Sequence, residues 1–288
     1  MAAWLRARPG HPYLAGSPLL VAHRGGAGLA PENTLPAFTM AVDAWGADML
    51  EMDVRLTADD EVVVIHDETV DRTTEGSGRV ADFTLARLRT LDAGHRFSAP
   101  DGRLTYRERG VRIPTFDEVL DACPDVRINV EAKEARVAGP LVEIVRRRGQ
   151  QHRVLIAAEH EPNRVEARGY EGPWGASRRD CILFWLAHLM PGGRIYTPNV
   201  DILQVPEYWK GRRFVTPRLV AEAHRRNIPV HVWTIDDPSV MRRLLSWGVD
   251  GIHTDRPDLL LNVLIEVAHR RRPDPGTLSE ATGPSSPP

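Results

Sequence analysis

Short apolar runs recur along the chain, and most are followed by a stretch with helical periodicity. Residues 19–26 (LLVAHRGG) precede 33–46 (NTLPAFTMAVDAWG), and 48–56 (DMLEMDVRL) lead into a hairpin-like run at 61–68 (EVVVIHDE). After a polar, glycine-bearing stretch up to Pro114, the pattern predicts strands at 126–133, 154–159, 173–177, 201–206, 229–235 and 251–255. Helices are predicted at 115–123, 139–149, 162–170, 178–190, 216–227, 237–248 and 258–270, with Thr216 as an N-cap and Pro217 in the first turn. Strand–helix alternation implies parallel pairing through right-handed crossovers. With 61–68 set aside, eight strands remain, which predicts a (β/α)8 barrel. The stretch 57–114 is too long for a βα loop and reads as an inserted subregion after the second strand. An open doubly wound sheet is the alternative, but GGAGLAPEN after the first strand lacks G-x-G-x-x-G spacing. The expected organisation is an N-terminal extension at 1–18, a barrel domain at 19–270 and a disordered, Pro- and Ser-rich tail at 271–288.

Composition agrees with one such domain. The chain has 288 residues, 42% hydrophobic and 26% charged, which excludes a disordered, collagenous or coiled-coil chain. A formal charge of −2 gives no electrostatic case for nucleic acid. The apolar run 181–187 is far short of the ~20 residues that span a bilayer. Residues 1–16 show no continuous apolar segment of a secretory signal, so a cytoplasmic protein without a transmembrane segment is expected. Cys123 and Cys181 stand alone and read as buried thiols. Of 37 basic residues only Lys133 and Lys210 are lysines, so each merits a check for a special position.

Alternation places the chemistry. In a strand, residues i and i+2 share a face. Within 49–56, Met49, Glu51, Asp53 and Arg55 share one face; within 126–133, Asn129, Glu131 and Lys133 do. The opposite faces are apolar and suit the helices, so the charged faces look into the barrel, whose C-terminal mouth carries active sites. Glu51, Asp53 and Glu131 on neighbouring strands suit a hard cation such as Ca²⁺ or Mg²⁺. The same set reads equally as an ion-pair network neutralised by Arg55 and Lys133. His23-Arg24 ends the first strand, and His66-Asp67 ends the hairpin run. Two imidazoles, a divalent cation, an arginine and a lysine are the groups that phosphodiester cleavage needs. Asn33 fits a helix N-cap, and Glu32 either holds a base or favours the helix dipole.

HRGGAGLAPENT (23–34), EMDVRLTADDEVVVIHDETVDRTTEGSGRV (51–80) and INVEAK (128–133) resemble the glycerophosphodiester phosphodiesterase family, and residues 230–258 resemble its C-terminal third. The resemblance implies a (β/α)8 barrel that hydrolyses glycerophosphodiesters to glycerol 3-phosphate and an alcohol. On matching positions it implies His23 and His66 as acid and base, and Glu51, Asp53 and Glu131 as ligands of one divalent cation, Ca²⁺ or Mg²⁺. Arg24 and Lys133 match its phosphate contacts and Trp233 a residue bordering the substrate; Glu32 and Asn33 match its motif as supporting positions. Ala157-Ala158-Glu159-His160 departs from the family's small or hydroxyl residues followed by an aromatic, which bears on the leaving alcohol. His253 stands where an aliphatic or small residue is usual; because it alternates with Ile252 and Thr254, it is expected to face the helices. His231 shares a face with Trp233 and reads as a core histidine. The apolar run 181–190 is read as a barrel helix with an extra contact such as a homodimer face, or as a docking surface for lipid-like substrates. The competing functions are a lysophospholipase D acting on lysophospholipids and a non-catalytic phosphate-binding barrel.

Overall fold

Runs of Val, Ile, Leu and Met that are buried on both faces form the strands, and amphipathic stretches opened by Thr, Asp or Pro form the helices. The computed structural model describes residues 10–189 and 196–273; most of the expected tail and half of the N-terminal extension lie outside the described residues. In chain order the elements are β1 (Leu19–Ala22), α1 (Leu35–Asp43), β2 (Met49–Leu56), β3 (Val62–Val64), α2 (Leu85–Leu88), α3 (Phe116–Ala122), β4 (Arg127–Ala132), α4 (Ala138–Arg147) and β5 (Val154–Ala157). There follow α5 (Arg178–Leu189), β6 (Leu203–Pro206), β7 (Tyr208–Trp209), β8 (Arg212–Arg213), α6 (Pro217–His224), β9 (Val230–Trp233), α7 (Pro238–Ser246), β10 (Gly251–Thr254) and α8 (Pro257–Ala268).

Seven strands pair in parallel in the order β5-β4-β2-β1-β10-β9-β6. The expected strand at 173–177 is reduced to Trp174, bridged to Ile156 of β5, and Gly175, bridged to Ile202 beside β6. Hydrogen bonds from Gly175 N to Ile156 O (3.0 Å) and from Ala176 N to Ile202 O (3.1 Å) complete the ring there. A Cβ on Gly175 would meet Gln204 Oε1 at 2.9 Å and Ala157 Cβ at 3.0 Å, so the close approach depends on glycine. The fold is the (β/α) barrel that the alternation predicts. Tyr13, Leu14, Leu19, Val21, Met49, Leu155 and Ile202 fill the interior beneath the mouth, with Ala157 of the same cluster above them at the cavity, and the Tyr13 hydroxyl donates to Ile128 O at 2.8 Å. A second, larger apolar cluster lies between strands and helices.

Between β2 and α3 the chain departs from the βα pattern. β3 pairs antiparallel with β2, Val64 opposite Val54. Val63, Ile65, Val70, Val80, Leu88, Leu91, Val111 and Ile113 gather in a small core of their own. The β7–β8 hairpin has no counterpart in the periodicity, because two-residue strands are too short to show alternation. Its turn, Lys210-Gly211, has φ of 48° and 74°, the backbone that a two-residue hairpin turn favours.

Candidate active site

The β1–α1 turn is built to aim two side chains inward. His23–Gly25 form one 3-10 turn in which Arg24 takes φ 51°. Gly25 is at φ 84°, and a Cβ there would lie 2.8 Å from Ala37 Cβ, so glycine lets the turn pack on α1. The backbone N–H of Arg24 donates to Glu51 Oε2 at 2.9 Å, fixing β1 to β2 at the level of the carboxylates. Register then sets the acidic group. Glu51 pairs with Asn129 and Asp53 with Glu131 across β2 and β4. Glu51, Asp53 and Glu131 each offer an oxygen within 4.8 Å of the others.

Burial and the neighbouring Asp53 push Glu51 up to about 7. Burial also works to raise Asp53, but Lys133 and Arg24 outweigh it and hold that carboxyl below its usual value. Lys133 Nζ stands 3.0 Å from Asp53 Oδ1 and 2.8 Å from Glu131 Oε2, and Arg24 Nε lies 3.3 Å from Asp53 Oδ2. Three carboxylates, two of them buried, with one raised by burial and by its neighbour, make a centre short of positive charge. All-oxygen donors in this setting fit a hard divalent cation.

Both candidate histidines are held from behind. His23 Nδ1 meets Asp255 Oδ1 at 2.7 Å, and His66 Nδ1 meets Asp67 Oδ1 at 2.6 Å. A carboxylate at Nδ1 fixes the tautomer and leaves Nε2 for chemistry. Burial pushes His23 down, but the Glu51 and Asp255 carboxylates outweigh it and raise it above the ordinary histidine value. Glu32 receives Arg24 Nη1 at 3.0 Å and Arg72 at 2.6 and 2.8 Å, while Arg72 Nε donates to Asp67 at 2.5 Å. An ion-paired chain thus joins Arg24 to His66 through Glu32, Arg72 and Asp67. Burial would raise Asp67; hydrogen bonds from Arg72 and His66 outweigh it and bring it to about 2.

Asn33 is not the helix cap. Thr34 caps α1, accepting from Ala37 N. Asn33, at φ 58°, donates from Nδ2 to Asp53 Oδ2 at 3.0 Å and accepts from Asp53 N at 3.3 Å. A buried carboxylate needs such donors, and asparagine tolerates the left-handed backbone that delivers them.

These groups open onto one cavity of about 310 Å³, lined by His23, Arg24, Glu51, Asp53, His66, Glu131 and Lys133 on one side. Ala157, Ala158, Ala176, Cys181, Ile182, Pro206, Trp209 and Phe214 form the other side, and Trp233 stands at the rim, 39% exposed. Every expected catalytic, metal and phosphate residue therefore meets in one place. Glu159 also reaches the cavity, ion-paired with Arg178. Asp255, Asp67 and Arg72 were not anticipated; the adjacency of His66 and Asp67 was the one local signal. The expectation that His253 faces the helices is corrected. Ile252 takes that face, while His253 points into the barrel, lines the cavity and lies 3.3 Å from His231 Nδ1. Along β10 the alternation runs with Ile252 outward and His253 inward. His231 is fully buried beneath the cavity.

Comparison with known proteins follows the same lines. The model of the glycerophosphoryl diester phosphodiesterase family matches residues 23–160 and 188–259. The glycerophosphodiester phosphodiesterase of Caldanaerobacter subterraneus is 34% identical over 253 residues, covering 85% of this chain and 97% of that protein. A probable glycerophosphodiester phosphodiesterase of Mycobacterium tuberculosis is 34% identical over 257 residues, covering 87% of this chain and 92% of its own length. Among solved structures, a phosphodiesterase of Oleispira antarctica in complex with the product sn-glycerol-3-phosphate superposes with a TM-score of 0.68 at 26% identity, covering 86% of this chain and 97% of its own.

Proposed function

The chain belongs to the glycerophosphoryl diester phosphodiesterase family, a family of phosphoric diester hydrolases, and from that membership we propose that its own pocket hydrolyses glycerophosphodiesters to sn-glycerol 3-phosphate and an alcohol. Glu51, Asp53 and Glu131 would hold one divalent cation, Ca²⁺ or Mg²⁺, whose charge polarises a phosphoryl oxygen when bound. Arg24 and Lys133 neutralise the remaining phosphoryl charge. His23 and His66 divide the proton transfers. One imidazole takes the proton of the attacking oxygen as the new P–O bond forms, and the other gives a proton to the leaving alkoxide as the old one breaks. Trp233 borders the substrate, and Glu32 and Asn33 support Arg24 and Asp53. We take 19–270 as the catalytic domain with 57–114 inserted, and a protein with two buried free thiols as cytoplasmic. Among the described residues no helix is long and apolar enough to cross a membrane.

The observation that carries this reading is the pair of carboxylate-backed imidazoles, at 2.7 and 2.6 Å, facing one cavity with the acidic trio. His23→Ala and Glu51→Ala are each expected to reduce glycerophosphocholine hydrolysis by about 10²–10⁴-fold with the circular-dichroism spectrum unchanged. Retained turnover in either would overturn the roles. A lysophospholipase D reading draws on α5, whose Cys181 and Ile182 line the cavity while Leu183, Leu186 and Leu189 face solvent; the same leucines would serve a homodimer. Side-by-side turnover of lysophosphatidylcholine and glycerophosphocholine separates the two activities, and light scattering reads the assembly.

A further inference from the structure

The two cavity histidines are held in different ways. His23 and its partner Asp255 each follow the last residue of a strand, and those strands, β1 and β10, pair with each other. His66 lies two residues past the end of β3, and its partner Asp67 is the next residue in the chain. The backbone there is anchored: Arg55 Nε donates to His66 O at 2.9 Å, and Ile65 N to Asp53 O at 2.9 Å. The side chains have no such anchor in the sheet. A ring held by its own neighbour is fixed only as well as that neighbour is fixed. Arg72 supplies the missing hold. Its Nε donates to Asp67 Oδ2 at 2.5 Å, and its Nη1 and Nη2 donate to Glu32 Oε2 and Oε1 at 2.6 and 2.8 Å. All three guanidinium nitrogens are thus spent on two carboxylates, although the side chain is 48% exposed. One exposed ion pair gains little and costs rotamer freedom. A three-point fork between two side chains of a site fixes geometry as well. Glu32 is anchored in turn, accepting from Arg24 Nη1 at 3.0 Å on the β1–α1 turn.

Resting on the phosphodiesterase reading above, we infer that Arg72 is the positioning residue of His66. It fixes the Asp67 carboxylate, the carboxylate fixes the ring at Nδ1, and Nε2 is left for chemistry. Arg72 does not line the cavity, and its hydrogen bonds go to Glu32 and Asp67, so it takes no part in proton transfer. Lysine cannot replace it, because one ammonium does not reproduce a planar fork across two carboxylates. Without Arg72, Glu32 still holds Arg24 and Asp53 still pairs with Arg24. The phosphate contact therefore survives, and the effect falls on turnover.

The test is kinetic, with glycerophosphocholine. Arg72→Lys and Arg72→Ala are each expected to lower kcat about 10–100-fold with KM little changed. Added guanidinium ion should restore part of the loss in Arg72→Ala, whose vacated place is open to solvent, and none in His66→Ala. Asp67→Asn combined with Arg72→Lys should be no slower than Asp67→Asn alone, because both act through one ring. Additive losses, a loss confined to KM, wild-type kcat in Arg72→Lys, or guanidinium rescue that is absent or equal in His66→Ala would each overturn the assignment and leave the phosphodiesterase reading standing. Nitrogen-15 NMR of the His66 ring reads the same brace without turnover. The neutral ring is expected to keep its proton on Nδ1 in the wild type and to divide it between both nitrogens in Arg72→Lys. In a wild type that cleaves no diester, that change would keep the brace and sink the phosphodiesterase reading instead; an unchanged tautomer would sink the brace.

Discussion

At the scale of single residues, the site depends on side chains that hold other side chains. Asp255 fixes His23 Nδ1 at 2.7 Å without lining the cavity, so it orients the ring rather than touching substrate. Asp255→Asn is expected to lower kcat by about 10–100-fold with KM little changed; a change in KM alone would contradict a positioning role. Lys133 is one of two lysines in a chain otherwise confined to arginine, and its ammonium lies within 3.0 Å of both Asp53 and Glu131. Lys133→Arg preserves charge but puts a broad planar fork where a point charge sits. A loss of at least about tenfold in kcat/KM is expected, and wild-type kinetics in the variant would show that charge alone suffices there. Alternation gave the shared face of Glu51 and Asp53 because side-chain direction is a local property. It could not give Asn33, whose capping chemistry was as good a local explanation as its actual partner, a carboxylate 20 residues on.

At the scale of elements, α3 shows how a short helix is kept in place. Thr115 and Glu118 form a capping box at its start. At its end, Arg153 donates to the carbonyls of Cys123 and Val126 at 2.9 Å each and of Leu120 at 3.3 Å. The guanidinium is almost fully buried and serves the carbonyls that a helix end leaves unpaired. Arg153→Met should cost about 2–3 kcal/mol, read as a lowered urea midpoint with an unchanged slope; a loss below about 0.5 kcal/mol would mean that water replaces it readily. Element boundaries were legible where apolar runs were long, as in β2 and β4. The strand that the pattern predicts at 173–177 is reduced to one bridge on either side, because its Pro173 and Gly175 weaken pairing that only its two neighbours can supply.

At the scale of the whole molecule, the barrel's lower interior has its own pH limit. Burial holds His231 down to about 4, and its partner His253 is also lowered by burial. Asp250 acts to raise His231 and Arg127 to lower it further. The unfolded chain protonates His231 below about pH 6.5, whereas the folded barrel refuses the proton until about pH 4. Stability from this residue is therefore complete above pH 6.5 and falls as pH drops toward 4, by about 2–3 kcal/mol at pH 4.5. Urea unfolding at pH 7 and 4.5 should show a smaller drop in His231→Leu than in wild type; equal drops would refute the argument. What the sequence determined by itself was the alternation of elements, hence a parallel barrel, and the face on which each charge lies, since both follow from neighbours a few residues away. The tertiary structure decided what those faces meet. Closure of the ring brought Asp255 to His23 across 232 residues. It also set what the inward-facing His253 meets, His231 Nδ1 at 3.3 Å, because register and closure are set by packing across the whole barrel and leave no mark on the local pattern.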